Sequence, residues 1–158
     1  EATAAALRNG WFHTGDQMLV DEHGDYVFLD RTKDAIRRRG ENISSYEVEV
    51  EVLSHPDVAE VAAVAVANPD VEATAGDEEV KVIVVPVPGA TIDPRELVEY
   101  LIPRMPRHMV PRFVEIADAL PKTPSFKVQK AELRKAGVTP GTWDREAAGI
   151  RLRREQLA

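Results

Sequence analysis

Two apolar, β-branched runs dominate the middle of the chain, "VAEVAAVAVA" at 58–67 and "EEVKVIVVPV" at 78–87. Runs of this length, separated by the polar stretch "NPDVEATAGD", predict strands. The spacing then turns helical: "DPRELVEYLIPRMP" puts Leu97, Val98, Leu101 and Ile102 on one face. Asp93 is placed to cap that helix and Pro94 to open it, while Pro103 and Pro106 stop it. "RFVEI" at 112–116 predicts a short strand, and "QKAELRKAG" at 129–137 a helix closed by Gly137. Nearer the start, "GWFHTGDQMLVDEHGDYVFLDR" predicts strands near Gln17–Val20 and Tyr26–Leu29 joined by a turn at "EHGD". Residues 44–53 carry two patterns at once. Glu and Val alternate from Glu47 to Val52, as in a strand. Yet Ser44 and Glu47 have capping-box spacing, and Val48, Val52 and Leu53 share a helical face. Periodicity leaves both open. After Thr139 the residues are polar and charged with little periodicity, which predicts a frayed tail. From Asp34 the order is strand, helix, strand, strand, helix, strand, helix: an α+β domain with a small sheet and flanking helices.

Composition narrows the function classes. The 158 residues are 44% hydrophobic and 30% charged, the balance of a globular protein. A net charge of -7 argues against a general nucleic-acid or membrane surface, although local basic clusters can still hold phosphates. With no cysteine there is no disulfide, thiolate metal site or Cys nucleophile. No apolar run reaches the ~20 residues of a membrane span and no signal peptide is visible, so the expected location is cytoplasmic. The chain opens on Glu1 and enters a motif-like stretch within ten residues, which suggests a piece of a longer protein.

Local chemistry is sparse. "DEHGD" (21–25) offers carboxylates and a histidine, but hairpin tips collect such residues anyway, so it reads as a turn and no metal site is expected. Arg37, Arg38 and Arg39 form a basic run before Gly40, equally consistent with phosphate binding and with a solvated strand end. "PKTPSFKVQK" (121–130) carries Lys122, Lys127 and Lys130 on a stretch stiffened by Pro121 and Pro124. Taken alone, a lysine there is a surface residue.

Four stretches in order, "GWFHTGD" (10–16), "DRTKDAIRRRGENISSYEVE" (30–49), "MVPRFVE" (109–115) and "LPKTPSFKVQKAELR" (120–134), resemble the C-terminal end of the adenylate-forming superfamily. Its members are acyl-CoA synthetases, adenylation domains of peptide synthetases and luciferase. Within it, "RRRGENISSYEVE" and "PKTPSFKVQKAELRKAGVTPGTWDRE" most resemble crotonobetaine/carnitine-CoA ligases and related bacterial acyl-CoA synthetases. The resemblance implies a lid domain at 34–137, a hinge at 30–33, the β-hairpin end of a large N-terminal domain at 1–29, and a charged tail at 138–158. It also implies a helix over 45–54. Lys127 is implied to be the catalytic lysine that stabilises charge at the α-phosphorus of ATP, with Phe126 standing where most relatives have Gly. A glycine with positive φ there would leave Phe strained. Lys122 and Lys130 are expected to be solvated or structural. Asp16 is implied to bind the ribose hydroxyls, Arg31 the ribose or phosphates, and Lys33 to be the hinge, while His13 stays structural. The turn of Arg38, Arg39, Gly40 and Glu41, with Arg37 beside it, is implied to face CoA. ATP and CoA would be substrates, with Mg2+ bound alongside ATP mainly by the absent domain. The expected activity is AMP-forming acyl-CoA ligation, and the fragment alone is expected to be inactive. A carrier-protein-dependent adenylation domain and a non-catalytic α+β binding module are the alternatives.

Overall fold

The structure is a computed structural model that describes residues 3–4, 7–70 and 76–152. The middle of the "NPDVEATAGD" loop, 71–75, and the end of the chain, 153–158, lie outside the described residues. The first strands are paired locally: β1 (Leu7–Arg8) with β2 (Trp11–Phe12), and β3 (Asp16–Val20) with β4 (Tyr26–Arg31), both antiparallel. Asp21 Oδ1 closes the second hairpin by accepting the N–H groups of His23 and Asp25, each at 2.9 Å. The "DEHGD" carboxylate is therefore occupied in shaping a turn. Next come β5 (Ile36–Arg38) and β6 (Glu41–Ile43), a small hairpin turning at Arg39 and Gly40.

The stretch with two patterns is a helix, α1 (Ser45–Leu53). Ser44 caps it, its hydroxyl accepting from the Glu47 N–H at 3.3 Å. The choice follows from burial. A strand would put Val48, Val50 and Val52 on one face, whereas a helix keeps Val48 and Val52 together and turns Val50 out. Val48 and Val52 are fully buried and Val50 is 46% exposed. After α1 follow β7 (Val58–Ala67), β8 (Glu78–Pro86), α2 (Pro94–Leu101), β9 (Phe113–Ile116), α3 (Lys130–Ala136) and β10 (Thr142–Asp144).

β7 to β10 form one sheet in the order β10-β9-β8-β7. β8 and β9 are parallel, joined across α2, and the outer pairs are antiparallel. The continuous apolar runs are explained by burial of both faces. Val61, Ala63, Val80, Val82 and Val114 meet α1, α2 and the β5–β6 hairpin on one face, through Ile36, Ile43, Val48, Val52, Leu97, Val98 and Leu101. Ala62, Val64, Val66, Ile83 and Phe113 meet Leu120, Val128 and Leu133 on the other. The edge strand β7 is partly satisfied by a side chain, since the Ala63 N–H donates to Glu49 Oε1 of α1 at 2.7 Å.

The segment after Thr139 departs from the frayed tail that its sequence predicts. β10 pairs with β9, Trp143 packs on the first core cluster, and Arg145 is 1% exposed. What orders it is polar: Arg145 donates to the carbonyls of Pro111 at 3.1 Å and Ile150 at 3.0 Å. Apolar periodicity does not register such contacts. Residues 7–29 show the opposite. Trp11, Phe12, Tyr26 and Val27 are exposed and Leu29 is half-buried, so the hairpins keep an apolar side in water. No helix among the described residues is long and apolar enough to cross a membrane.

Candidate nucleotide and thiol sites

The lysine loop between β9 and α3 is a tight, self-bonded hairpin. Lys122 and Val128 form an isolated antiparallel bridge, and the Gln129 N–H donates to Pro121 O at 2.8 Å. Thr123 organises the tip: its N–H donates to Lys127 O at 2.8 Å, its carbonyl accepts from Phe126 N–H at 2.9 Å, and its Oγ1 accepts from Lys127 N–H at 3.1 Å. The three lysines then divide. Lys122 pairs with Glu60 of β7 at 2.6 Å, and Lys130 pairs with Glu49 of α1 at 2.8 Å and donates to the Ser45 hydroxyl at 2.8 Å. Both are anchors, as the structural reading expects. Lys127 is exposed and makes no ion pair among the described residues. Phe126 beside it has φ +61° and is 84% exposed.

Asp16 and Arg31 are brought together. They are direct cross-strand partners in β3–β4, so their side chains share a face, with Arg31 Nε 3.5 Å from Asp16 Oδ1. That oxygen is screened from solvent yet accepts no hydrogen bond. Phe12, His13, Thr14, Gly15, Asp16 and Thr32 line a shallow pocket around it. Gly15, at φ +76°, lets the backbone turn there. Lys33 is exposed in a turn where the N–H groups of Asp34 and Ala35 donate to Arg31 O, at 2.9 and 3.1 Å. Sequence reasoning missed Asp30. It is 4% exposed and accepts from the Ser45 N–H at 2.6 Å and the Arg31 N–H at 2.7 Å, while the Ser44 hydroxyl reaches Leu29 O at 3.0 Å. Its only sequence signal was a carboxylate between apolar Leu29 and a turn.

The arginine run does not behave as one patch. Arg37 is exposed, but Arg38 is buried, its Nε 2.7 Å from Glu79 Oε2 and its Nη1 donating to His108 O at 2.8 Å. Arg39 is exposed at φ +51° and Gly40 sits at φ +85°, its missing Cβ facing open space. Gly40 is thus needed for its backbone conformation, with nothing in this structure approaching it. The Arg39 N–H, at 2.5 Å, and the Asn68 amide hold the Asp77 carboxyl below its usual range. Glu79 is fully buried, and Arg38, Arg39 and Arg112 surround its oxygens with positive charge. Burial pushes the Glu79 carboxyl up against that attraction, and lowers the guanidinium of Arg38. Above this network lies an open basic cleft bounded by Arg39, Glu41, Arg107, His108 and Arg151, with Arg38, Arg145 and Glu146 in its wall. Arg107 and Arg151 were missed because only the fold brings them to the turn.

The lysine loop and the arginine turn occupy opposite parts of the domain. The loop packs through Leu120 and Val128 on one face of the sheet, and the β5–β6 hairpin through Ile36 and Ile43 on the other. They also mark opposite ends: Lys122 reaches Glu60 near the start of β7, while Arg39 reaches Asp77, which pairs with Asn68 just past the end of β7. Seven residues of strand separate Glu60 from Ala67, about 23 Å at ~3.3 Å per residue. Neither the Asp16 pocket nor the basic cleft includes Lys127 in its lining.

The family model for the AMP-binding enzyme C-terminal domain matches residues 47–127. A feruloyl-CoA synthase from Amycolatopsis is 43% identical over 135 residues, covering 85% of this chain and 26% of that protein. A crotonobetaine/carnitine–CoA ligase from Citrobacter koseri is 36% identical over 135 residues, covering 85% of this chain and 25% of its own. The likeness to carnitine-type ligases is thus shared with, and exceeded by, the feruloyl-CoA synthase. The ATP-bound crystal structure of MatB from Rhodopseudomonas palustris superposes with a TM-score of 0.75 at 33% identity, covering 86% of this chain and 26% of that one. The chain spans about a quarter of the length of these relatives. On its fold, its loop and turn, and a model match over more than half its length, the chain belongs to the AMP-binding enzyme C-terminal domain family.

Proposed function

We propose that this chain is the lid domain, with the preceding hinge, of an ATP-dependent, AMP-forming acyl-CoA ligase. One observation carries the reading: Lys127, which makes no ion pair among the described residues, and the Arg39–Gly40 turn lie towards opposite faces and ends of one four-stranded sheet. A domain of that build can serve two reactions by presenting one side and then the other.

In the first, a carboxylate oxygen attacks the α-phosphorus of ATP and pyrophosphate departs, leaving acyl-AMP. Negative charge gathers on the bridging and non-bridging oxygens, and the compact ammonium of Lys127 is placed to neutralise it. The Asp16 carboxylate, in the wall of its pocket, accepts the ribose hydroxyls. Arg31, its cross-strand partner, lies beside the phosphates. Rotation at Lys33 then withdraws the loop and brings in the turn at Gly40. In the second reaction the CoA sulfur attacks the acyl carbon and AMP leaves. Arg39, Arg107 and Arg151 line the cleft that would take the CoA phosphates; Arg38 serves as wall, its charge already committed to Glu79. Mg2+ would arrive on the ATP phosphates. Its protein ligands would come mainly from the large domain.

The test is product analysis with the full-length protein. Incubated with ATP and a panel of carboxylic acids that includes hydroxycinnamic acids and carnitine-like acids, it should release pyrophosphate with an acid of the panel, and AMP plus a thioester once CoA is added. Adenylation that proceeds to a carrier-protein thioester but never to acyl-CoA would refute the CoA assignment. Absence of pyrophosphate release with every acid would refute the ligase reading.

A further inference from the structure

Phe126 occupies a position that a glycine would fill with less strain. At φ +61° its Cβ crowds the backbone, a conformation that bulky L-residues rarely adopt. Its ring is 84% exposed, more than any other large hydrophobic side chain among the described residues. The loop imposes this conformation, since the Phe126 and Lys127 N–H groups are both tied to Thr123, at 2.9 and 3.1 Å. Glycine would remove both the strain and the exposed ring. Nothing within the described residues offsets either: the aromatic pairs are Phe28 with Tyr46 and His55 with Tyr100, and Phe126 is in neither. Strain held next to a reacting group leads to a hypothesis about what that strain serves.

We propose that Phe126 is a positioning residue for Lys127, its ring burying against the large N-terminal domain when the loop enters the nucleotide site. The occupant follows from covalent geometry. Adjacent Cα atoms lie ~3.8 Å apart, so any surface that receives Lys127 also meets Phe126. This chain covers about a quarter of its relatives, and the remainder provides that surface. Docked, the ring sets the depth and direction of the Lys127 side chain and excludes water around its ammonium. The inference rests on Lys127 acting in adenylation.

The test compares Phe126→Gly, Phe126→Leu and the unaltered full-length enzyme in two assays: ATP–pyrophosphate exchange, and thioester formation from supplied acyl-AMP. Docking predicts the order Phe, Leu, Gly in the kcat of exchange, with about a tenfold loss or more for Gly. Thioester formation should stay unchanged in both variants, which also reports intact folding. A purely local role predicts the reverse order, because Gly relieves the left-handed backbone that Leu retains. Exchange by Phe126→Gly equal to or faster than the unaltered enzyme, or Leu falling to the level of Gly, overturns the proposal. Lys127→Ala run alongside separates the two ideas, since normal exchange in that variant would undo the reading of Lys127 itself.

Discussion

The lysine loop and the arginine turn look alike as sequence, each a short polar stretch with three cations. In the structure they handle charge in opposite ways. The loop uses two cations as anchors, on Glu60 and Glu49, and holds Lys127 at an exposed tip with no ion pair among the described residues. The turn is built over a buried anion: Arg38 is drawn inward by Glu79, and only Arg37 and Arg39 stay outside. Counting cations therefore says little about which are available. What decides is whether a partner lies beneath.

The sharpest way to break the turn's half of this contrast is Arg38→Ala. It leaves Glu79 buried without its nearest counter-charge, and should destabilise the domain by ~3–5 kcal/mol in denaturant unfolding. The pH dependence has a defined sign. Burial already raises the folded-state pKa of Glu79 above its unfolded value, so that group's contribution falls as pH rises between the two. Losing Arg38 raises it further. The deficit of the variant should thus be greatest at neutral pH and shrink on acidification. A deficit independent of pH would show that Glu79 is not the group responsible.

Next in size is Lys127→Ala in the full-length protein. Adenylation should lose roughly 3 kcal/mol of transition-state stabilisation, by analogy with removal of an oxyanion donor, while thioester formation from supplied acyl-AMP survives. Equal losses in both would mean that the lysine supports folding. Gly40→Leu should act in the reverse sense. A side chain at φ +85° costs about 1–2 kcal/mol and fills the open space where the thiol arm would pass. Thioester formation should fall while pyrophosphate exchange stays near normal, and parallel losses would remove the turn from the second reaction. Smallest is Glu60→Ala. The Lys122–Glu60 pair is partly exposed, so its loss should lower stability by less than ~1 kcal/mol. Adenylation should drop more than that figure implies if the pair's purpose is to aim the loop.

Much of this was legible in the sequence, and the gaps have physical causes. The β7 and β8 runs, the Asp93–Pro94 helix start and the Gly137 stop register locally, in propensity and capping, and the structure has them where the pattern puts them. Periodicity leaves α1 open because Glu-Val alternation over six residues fits both periods; the resemblance implies the helix, and burial of Val48 and Val52 against the sheet is the physical reason for it. β10 and Arg145 were missed because groups distant in sequence hold them: the Glu115 carboxylate at Thr142 and the Pro111 carbonyl at Arg145. The same holds for Lys81, buried between Gly137 O at 2.6 Å and Glu115 at 2.7 Å inside an apolar strand. Resemblance marked Asp16 and Arg31, and the register shows them as neighbours; Asp30 and Arg107 needed the fold.

The central claim is that one domain serves two reactions with opposite sides, and amide hydrogen exchange on the full-length enzyme tests it most directly. With a non-hydrolysable acyl-AMP analogue alone, amides of 121–128 should gain protection over the ligand-free enzyme and those of 37–42 should not. With the same analogue and CoA, protection should pass from the loop to the turn. Protection of both segments together in either state, or of the same segment in both, would contradict the account.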